Sequence, residues 1–326
     1  AILSLHETGI EQRVLARPWP APMARYAEAG VDARSFGFSA ADRLLGRGRA
    51  IRHAAREMGA DLVHAWMQRA ASFLPRRLPC PVIGWFGDRY DLKYFRRADS
   101  CITVTPDLTA YVRGSGFPAE RVFTVNTFGT MPEAPPVSRA SLGTPEDATV
   151  LLVLSRLHRV KGIDTMLHAL SRLPGPTLWL AGDGPERGSY ARLAQTLGLS
   201  DRVRFLGWRD DRRALLEACD ICVLPSRYEP FGTVIAEAWA MGRPLVATRA
   251  DGARQYVTDG VDGLLCPVED DAALAAAIQR IIAEPSLGAA LAAGGRAAYE
   301  RDFTREIVTR RLIACYEACI RLGHRA

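Results

Sequence analysis

From residue 149 onward the chain alternates short apolar runs with longer stretches of helical periodicity, and this alternation restricts the fold more than any other feature. Residues 149–155, 177–181, 203–206, 221–225, 244–247 and 263–266 read as strands. Residues 162–172, 185–198, 210–219, 233–241, 271–283, 286–300 and 303–321 read as helices. Within 162–172, Ile163, Met166, Leu167 and Leu170 recur at helical spacing and give one core-facing stripe. Strands that alternate with helices predict a parallel, doubly wound sheet. The first half repeats the pattern more loosely, with strands over 11–16, 32–38, 61–66, 81–86, 101–105 and 121–125 and helices over 20–29, 40–58 and 106–115. Two Rossmann-like α/β domains are therefore expected, with a ligand in the cleft between the carboxyl ends of both sheets.

The stretch 131–148 (MPEAPPVSRASLGTPEDA) is rich in Pro and Ser, lacks periodicity and reads as a linker. The expected division is an acceptor-side domain over 1–135, a donor-side domain over 136–302 and a terminal helix within 303–326. The chain opens at Ala1 inside what resembles a helix (AILSLHE). A fold of this kind normally opens on a strand and a Gly-rich turn, so that first strand and loop are expected to be missing.

Length and composition suit two globular domains: 326 residues, 48% hydrophobic. No apolar run approaches the length of a membrane span, and no signal peptide is visible. The seven cysteines do not show the spacing of paired staples. Cys219 and Cys222 form a lone CxxC across a helix end and a strand start, and Cys315 and Cys319 lie one helical turn apart. Buried thiols in a reducing cytoplasm fit both pairs better than a zinc site. The formal net charge is +6, carried by 40 Arg against 2 Lys. The arginines are scattered, without the aromatic interleaving that stacks bases, so nucleic acid is not an expected partner. A basic surface also suits an anionic glycolipid acceptor or the inner face of an anionic membrane.

The most informative stretch is YEPFGTVIAEAWAMG, Tyr228 to Gly242. It follows the strand 221–225 and contains the start of the helix 233–241. Glu229 falls in the strand-to-helix loop, and Glu237 about one turn inside the helix. The backbone N–H groups of Gly232, Thr233 and Val234 are left over at the helix start and form an anion site. A carboxylate on either side of such a site suits sugar hydroxyls attached to a diphosphate, which describes a nucleotide sugar.

Three further motifs lie in the same half. In LSRLHRVKGID (154–164), Arg156 and Lys161 stand five apart in a loop entering a helix. Taken alone they read as two solvated cations. Beside the Glu229–Glu237 run, convergence on one phosphate cluster is the better reading. In LAGDGPER (180–187), Gly182 and Gly184 permit a tight turn before a helix that opens at Pro185. In RFLGW (204–208), Gly207 lets the backbone approach a flat ring such as a nucleobase, beside Trp208; a plain turn accounts for it equally well.

In this order and spacing, SRLHRVKGID, AGDGPER, VRFLGW, CVLPSRYEPFGTVIAEAWAMGRPLVAT and DGVDGLLCP resemble the retaining glycosyltransferases of family 4, which have the GT-B fold. The resemblance covers about residues 150–270. It implies that Arg156 and Lys161 bind the donor diphosphate, that Glu229 faces the donor sugar and that Glu237 meets the ribose hydroxyls. It also implies that backbone around Phe231, Gly232 and Thr233 cradles phosphate and sugar, and that the helix 303–321 crosses back to the N-terminal domain. DLVHAWM (61–67) and ADSCITVTPDL (98–108) look like the family's N-terminal domain. WFGDRYDLKYFRRAD (85–99) resembles members that build bacterial surface polysaccharide or lipopolysaccharide cores.

There are two departures. The family's N-terminal Gly-rich loop has no counterpart. Gly87, next to Asp88, stands where many relatives carry a His at the end of the strand PVIGWFGD. His64, flanked by Val63 and Trp66, reads as a buried structural histidine rather than a catalytic one.

The implied activity is retaining transfer of a sugar from a nucleotide-diphosphate sugar to a glycan or glycolipid acceptor. Arg156, Lys161 and the helix start at Gly232 face the leaving phosphate. No Asp-x-Asp occurs in the chain, and neither cofactor nor metal is expected. A non-catalytic nucleotide-sugar binding module and a sugar-nucleotide epimerase of the same fold are the competing readings.

Overall fold

A computed structural model describes residues 1–39, 41–42, 48–129 and 131–325. They form two compact units: Ala1–Asn126 with Arg305–Ala326, and Thr127–Thr304.

In the first unit the chain runs through α1 (Ile2–Glu7), β1 (Arg13–Ala16), α2 (Pro20–Glu28), β2 (Asp32–Ser35), α3 (Gly48–Met58), β3 (Val63–Trp66) and α4 (Met67–Ala71). It continues through β4 (Val82–Phe86), β5 (Ser100–Thr103), α5 (Pro106–Gly114) and β6 (Val122–Thr124). The helix expected over 40–58 is present at α3, while residues 40 and 43–47 lie outside the described residues. Helix α5 starts where local chemistry dictates: Pro106 supplies a fixed φ, and the Thr105 hydroxyl accepts from the Leu108 N–H.

These strands pair in parallel but divide into two sheets, β1-β2 and β3-β4-β5-β6, rather than one. β1 and β3 share no ladder, and a cavity of about 610 Å³ is lined by Val14 of β1 and Val63 of β3 together with Phe36, Ile51 of α3 and Ile313. The apolar alternation that located the strands carries no information about which edges meet.

The second unit contains β7 (Val150–Leu154), α6 (Ile163–Ser171), β8 (Thr177–Ala181), α7 (Arg187–Thr196), β9 (Val203–Gly207) and α8 (Arg212–Ala218). It continues through β10 (Ile221–Leu224), α9 (Thr233–Ala240), β11 (Leu245–Thr248), α10 (Ala253–Tyr256), β12 (Leu264–Cys266), α11 (Asp271–Ala283) and α12 (Pro285–Asp302). Its six strands are all parallel, in the order β12-β11-β10-β7-β8-β9. Every residue of the central strand β7 (VLLVL) is buried, as a strand covered on both faces must be. Ile163, Met166, Leu167 and Leu170 of α6 pack with Leu151, Val153, Leu178, Leu180 and Ile278 into one core.

Helix α13 (Arg305–Leu322) belongs to the first unit. The Ser4 and Thr309 hydroxyls lie 2.8 Å apart, and Arg121 donates to the carbonyls of Leu322 and Gly323. All seven cysteines, Cys219, Cys222, Cys315 and Cys319 among them, are buried free thiols. Among the described residues no helix is long and apolar enough to cross a membrane.

Candidate functional site

The strand order of the second unit reverses between β7 and β10, because β8 and β9 extend on one side of β7 and β10 to β12 on the other. At such a switch point the loops leaving the two strands part in opposite directions and open a crevice beyond their carboxyl ends. The loops concerned are 155–162 after β7 and 225–232 after β10. These are the loops that carry Arg156 and Lys161, and Glu229 and Gly232.

The two loops are fastened to each other. The N–H groups of Arg227 and Tyr228 donate to the Val160 carbonyl at 2.9 and 3.3 Å. Gly162 has φ +63°, and a Cβ there would lie 2.0 Å from the Pro225 carbonyl oxygen, so only glycine permits this approach. The Arg227 guanidinium forks onto both Asp164 oxygens at 2.7 and 2.8 Å, and it also bonds Glu269 and the Arg159 carbonyl. Sequence reasoning missed this clamp, although Arg227 stands two residues before Glu229.

The fastening delivers Lys161 onto Glu229, with Nζ 2.5 Å from Oε2 and both side chains about 15% exposed. The Ser226 hydroxyl donates to the same oxygen at 3.4 Å. Arg156 is exposed, and among the described residues its guanidinium makes no hydrogen bond or ion pair. The structure thus joins Lys161 to Glu229 and leaves Arg156 out of that pair.

Helix α9 begins beside this pair. Gly232 caps it at φ +82°, with no side-chain cap, and Thr233 is exposed while Val234 is half-buried. The leading N–H groups keep the partial positive charge of a helix start. The Phe231 ring is buried edge-on against Tyr256, with centroids 5.3 Å apart, and also meets Phe303.

Glu237 lies one turn further, its side chain 1% exposed. Arg212 Nη1 donates to its Oε1 at 2.6 Å. Oε2 is buried and, among the described residues, has no hydrogen-bond partner. Burial pushes the carboxyl above its usual range, while the charge and hydrogen bond of Arg212 pull it back down. The Gly129 backbone lies so close that a Cβ there would come within 2.8 Å of Oε1. Neither Arg212, in the charged run RDDRR, nor Gly129 carried a sequence signal for this contact.

Gly207 ends β9 at φ +68°, and its carbonyl accepts from the Gly182 N–H at 2.7 Å. Trp208 beside it is 72% exposed and donates to Asp210 Oδ1 at 3.1 Å.

His64 of the first unit is buried. Its Nδ1 lies 2.6 Å from the Tyr316 hydroxyl, and its ring stacks on Trp66 at 3.9 Å. Burial pushes its pKa down to about 3, which makes it a neutral packing element.

Comparison with known proteins agrees with this architecture. The family described as "Glycosyl transferases group 1" matches residues 148–284. The lipopolysaccharide core biosynthesis glycosyltransferase LpsE of Rhizobium meliloti (strain 1021) is 37% identical over 312 residues, covering 94% of this chain and 90% of that protein. Among solved structures, Anabaena Alr3699/HepE in complex with UDP superposes with a TM-score of 0.78 at 25% identity, covering 90% of this chain and 88% of that one. Sucrose-phosphate synthase from Thermosynechococcus elongatus superposes with a TM-score of 0.72 at 28% identity, over 83% of this chain and 76% of that one. A two-unit α/β chain with a carboxylate, an ammonium and an uncapped helix start at one switch point, and with this similarity along nearly its whole length, belongs to the group 1 glycosyltransferases of GT-B fold.

Proposed function

We propose that this glycosyltransferase moves a sugar from a uridine-diphosphate sugar onto a glycolipid acceptor of the lipopolysaccharide core, with retention at the anomeric carbon and without a metal. The observation that carries the reading is the Lys161–Glu229 pair beside the bare start of α9, at the switch point of the second unit. The UDP complex of the Anabaena protein and the lipopolysaccharide-core role of the Rhizobium protein support the choice of donor base and acceptor class.

Breaking the bond from sugar to diphosphate builds positive charge on the anomeric carbon and negative charge on the departing phosphate. Lys161 and the N–H groups around Gly232 and Thr233 offset the second. Arg156, exposed and with no hydrogen bond or ion pair to its guanidinium among the described residues, is available to the same diphosphate. Glu229 receives hydroxyls of the sugar and holds the Lys161 ammonium in place. Fixed cations and backbone donors supply the charge stabilisation that a divalent ion gives elsewhere. The departing phosphate takes the acceptor's proton on the same face, which is the route to retention. Glu237 receives the ribose.

The net charge of +6 suits work at an anionic membrane surface on the cytoplasmic side, where such acceptors are assembled. The test is a transfer assay with UDP-sugars and purified core acceptor, with and without chelator. Transfer that survives chelation, leaves the product α-linked from an α-linked donor and disappears without acceptor supports the reading. Interconversion of the donor sugar without acceptor would instead make the protein an epimerase.

A further inference from the structure

The carboxylate of Glu237 presents an asymmetry. Oε1 is held by Arg212 at 2.6 Å, whereas Oε2 is buried and, among the described residues, has no hydrogen-bond partner, in a side chain that is 1% exposed. Buried acceptors are almost always satisfied, and an orphan inside a ligand site points to a donor that arrives with the ligand. Arg212 reaches Glu237 from the first position of α8, directly after the loop 207–211 that carries Trp208. That loop is itself braced, since Arg209 forks onto both oxygens of Asp211 at 2.7 and 2.5 Å. Arg212 therefore ties the loop beside Gly207 and Trp208 to the carboxylate on α9.

We propose that Arg212 is a positioning residue for the donor nucleoside: by occupying Oε1 of Glu237 it turns Oε2 toward one ribose hydroxyl and so makes the site select ribonucleotides over deoxyribonucleotides. The proposal rests on the reading of Glu237 as the ribose acceptor. A carboxylate without Arg212 would rotate between equivalent settings and would have no cation to offset its burial. Among the described residues the titratable and charged groups facing Glu237 are Arg212 from α8 and the buried Cys222 thiol from β10. The thiol is pushed well up by burial and stays neutral, so Arg212 is the compensating charge. A Lys at the position keeps the charge but not the planar guanidinium whose Nη1 holds Oε1.

The experiment is calorimetric titration of UDP, 2′-deoxy-UDP and 3′-deoxy-UDP into the wild-type protein and into Arg212→Leu, Arg212→Gln and Arg212→Lys, each verified as folded by thermal melting. Wild type should lose about tenfold or more in affinity with one deoxy nucleotide, the scale of a hydrogen bond to a charged group. In Arg212→Leu and Arg212→Gln the affinity for UDP should fall by a similar factor and the ratio of ribo to deoxy should collapse to within about twofold of one. Arg212→Lys should recover part of that ratio. If wild type discriminates and the Leu or Gln variant discriminates equally, Arg212 is only a strut and the proposal fails. If wild type binds UDP without discriminating, the ribose reading of Glu237 fails and takes the proposal with it. A Leu variant that does not fold leaves the Gln and Lys variants to decide.

Discussion

Replacing Lys161 with Met separates chemistry from architecture. The ammonium sits 2.5 Å from Glu229 with about 15% of either side chain exposed, so the pair is shielded from much of the screening that makes surface pairs worthless. If Lys161 also meets the departing phosphate, its removal deletes a hydrogen bond between charged groups, about 1.5–3 kcal/mol. At about 1.4 kcal/mol per decade this predicts a fall in kcat/KM of roughly 12- to 140-fold. A group that acts on charge developing at the leaving phosphate should lower kcat along with kcat/KM. The assay is steady-state transfer for Lys161→Met, Glu229→Gln and the double variant. Shared work on one donor predicts a double variant far less impaired than the product of the two single losses, with a coupling of about 0.5–3 kcal/mol. Single variants within threefold of wild type, or losses that multiply, would refute a shared site for the two residues.

Three further outcomes follow from the same geometry. Glu237→Gln should weaken UDP binding by about tenfold or more while leaving the melting temperature at pH 7.5 no lower than wild type. The sign comes from linkage: a carboxyl whose folded pKa is raised adds stability below its unfolded pKa and loses it as pH rises through the folded value, so neutralising it costs nothing at neutral pH. Gly162→Ala should lower stability by about 1–3 kcal/mol and transfer activity with it, since its Cβ would sit 2.0 Å from the Pro225 carbonyl oxygen at a φ of +63°; thermal melting and the transfer assay read both. His64, with a pKa pushed down to about 3, stabilises the fold above its ordinary pKa near 6.5 and stops doing so as pH falls toward 3. Acid unfolding followed by circular dichroism should therefore set in at a lower pH for His64→Gln, with transfer at neutral pH within about threefold of wild type.

Much of the second unit is legible in the sequence because its physics is local. The fully buried strand VLLVL, the stripe Ile163, Met166, Leu167 and Leu170, and the helix start after Gly232 each follow from spacing within a dozen residues. The meeting of Lys161 and Glu229 is legible only through strand order, since the pair is separated by 68 positions and brought together by the adjacency of β7 and β10. Arg212 and Gly129 were silent for a similar reason. An arginine in RDDRR looks like any solvated cation until α8 turns it onto Glu237. The split of the first unit into two sheets was equally hidden, because a strand's alternation is the same whether its edge is paired or not.

The contacts named at the site account for only part of what a transferase needs, and the difference indicates where the rest comes from. An enzymatic acceleration amounts to at least about 8 kcal/mol. One charged hydrogen bond from Lys161 gives about 1.5–3 kcal/mol, and a helix start adds about 0.3–1 kcal/mol, or about 2 when partly buried. A contribution from Arg156 of the same kind brings the sum to about 3–8 kcal/mol, which meets even that minimum only at its upper end. Holding reactants in register supplies about 7–11 kcal/mol when the groups are rigid. Rigidity is what the loops of the second unit are built for. Val160 accepts from two successive N–H groups, Arg227 pins Asp164, Gly162 lies on Pro225, and the Gly252 N–H bonds the Glu229 carbonyl at 2.7 Å. These contacts are largely backbone to backbone and involve none of the reacting groups. Cutting the Arg227 fork with Arg227→Gln should therefore lower kcat by about tenfold or more without touching the donor, as measured in the transfer assay. An Arg227→Gln variant with wild-type kcat would place the missing energy in the side chains rather than in the frame that holds them.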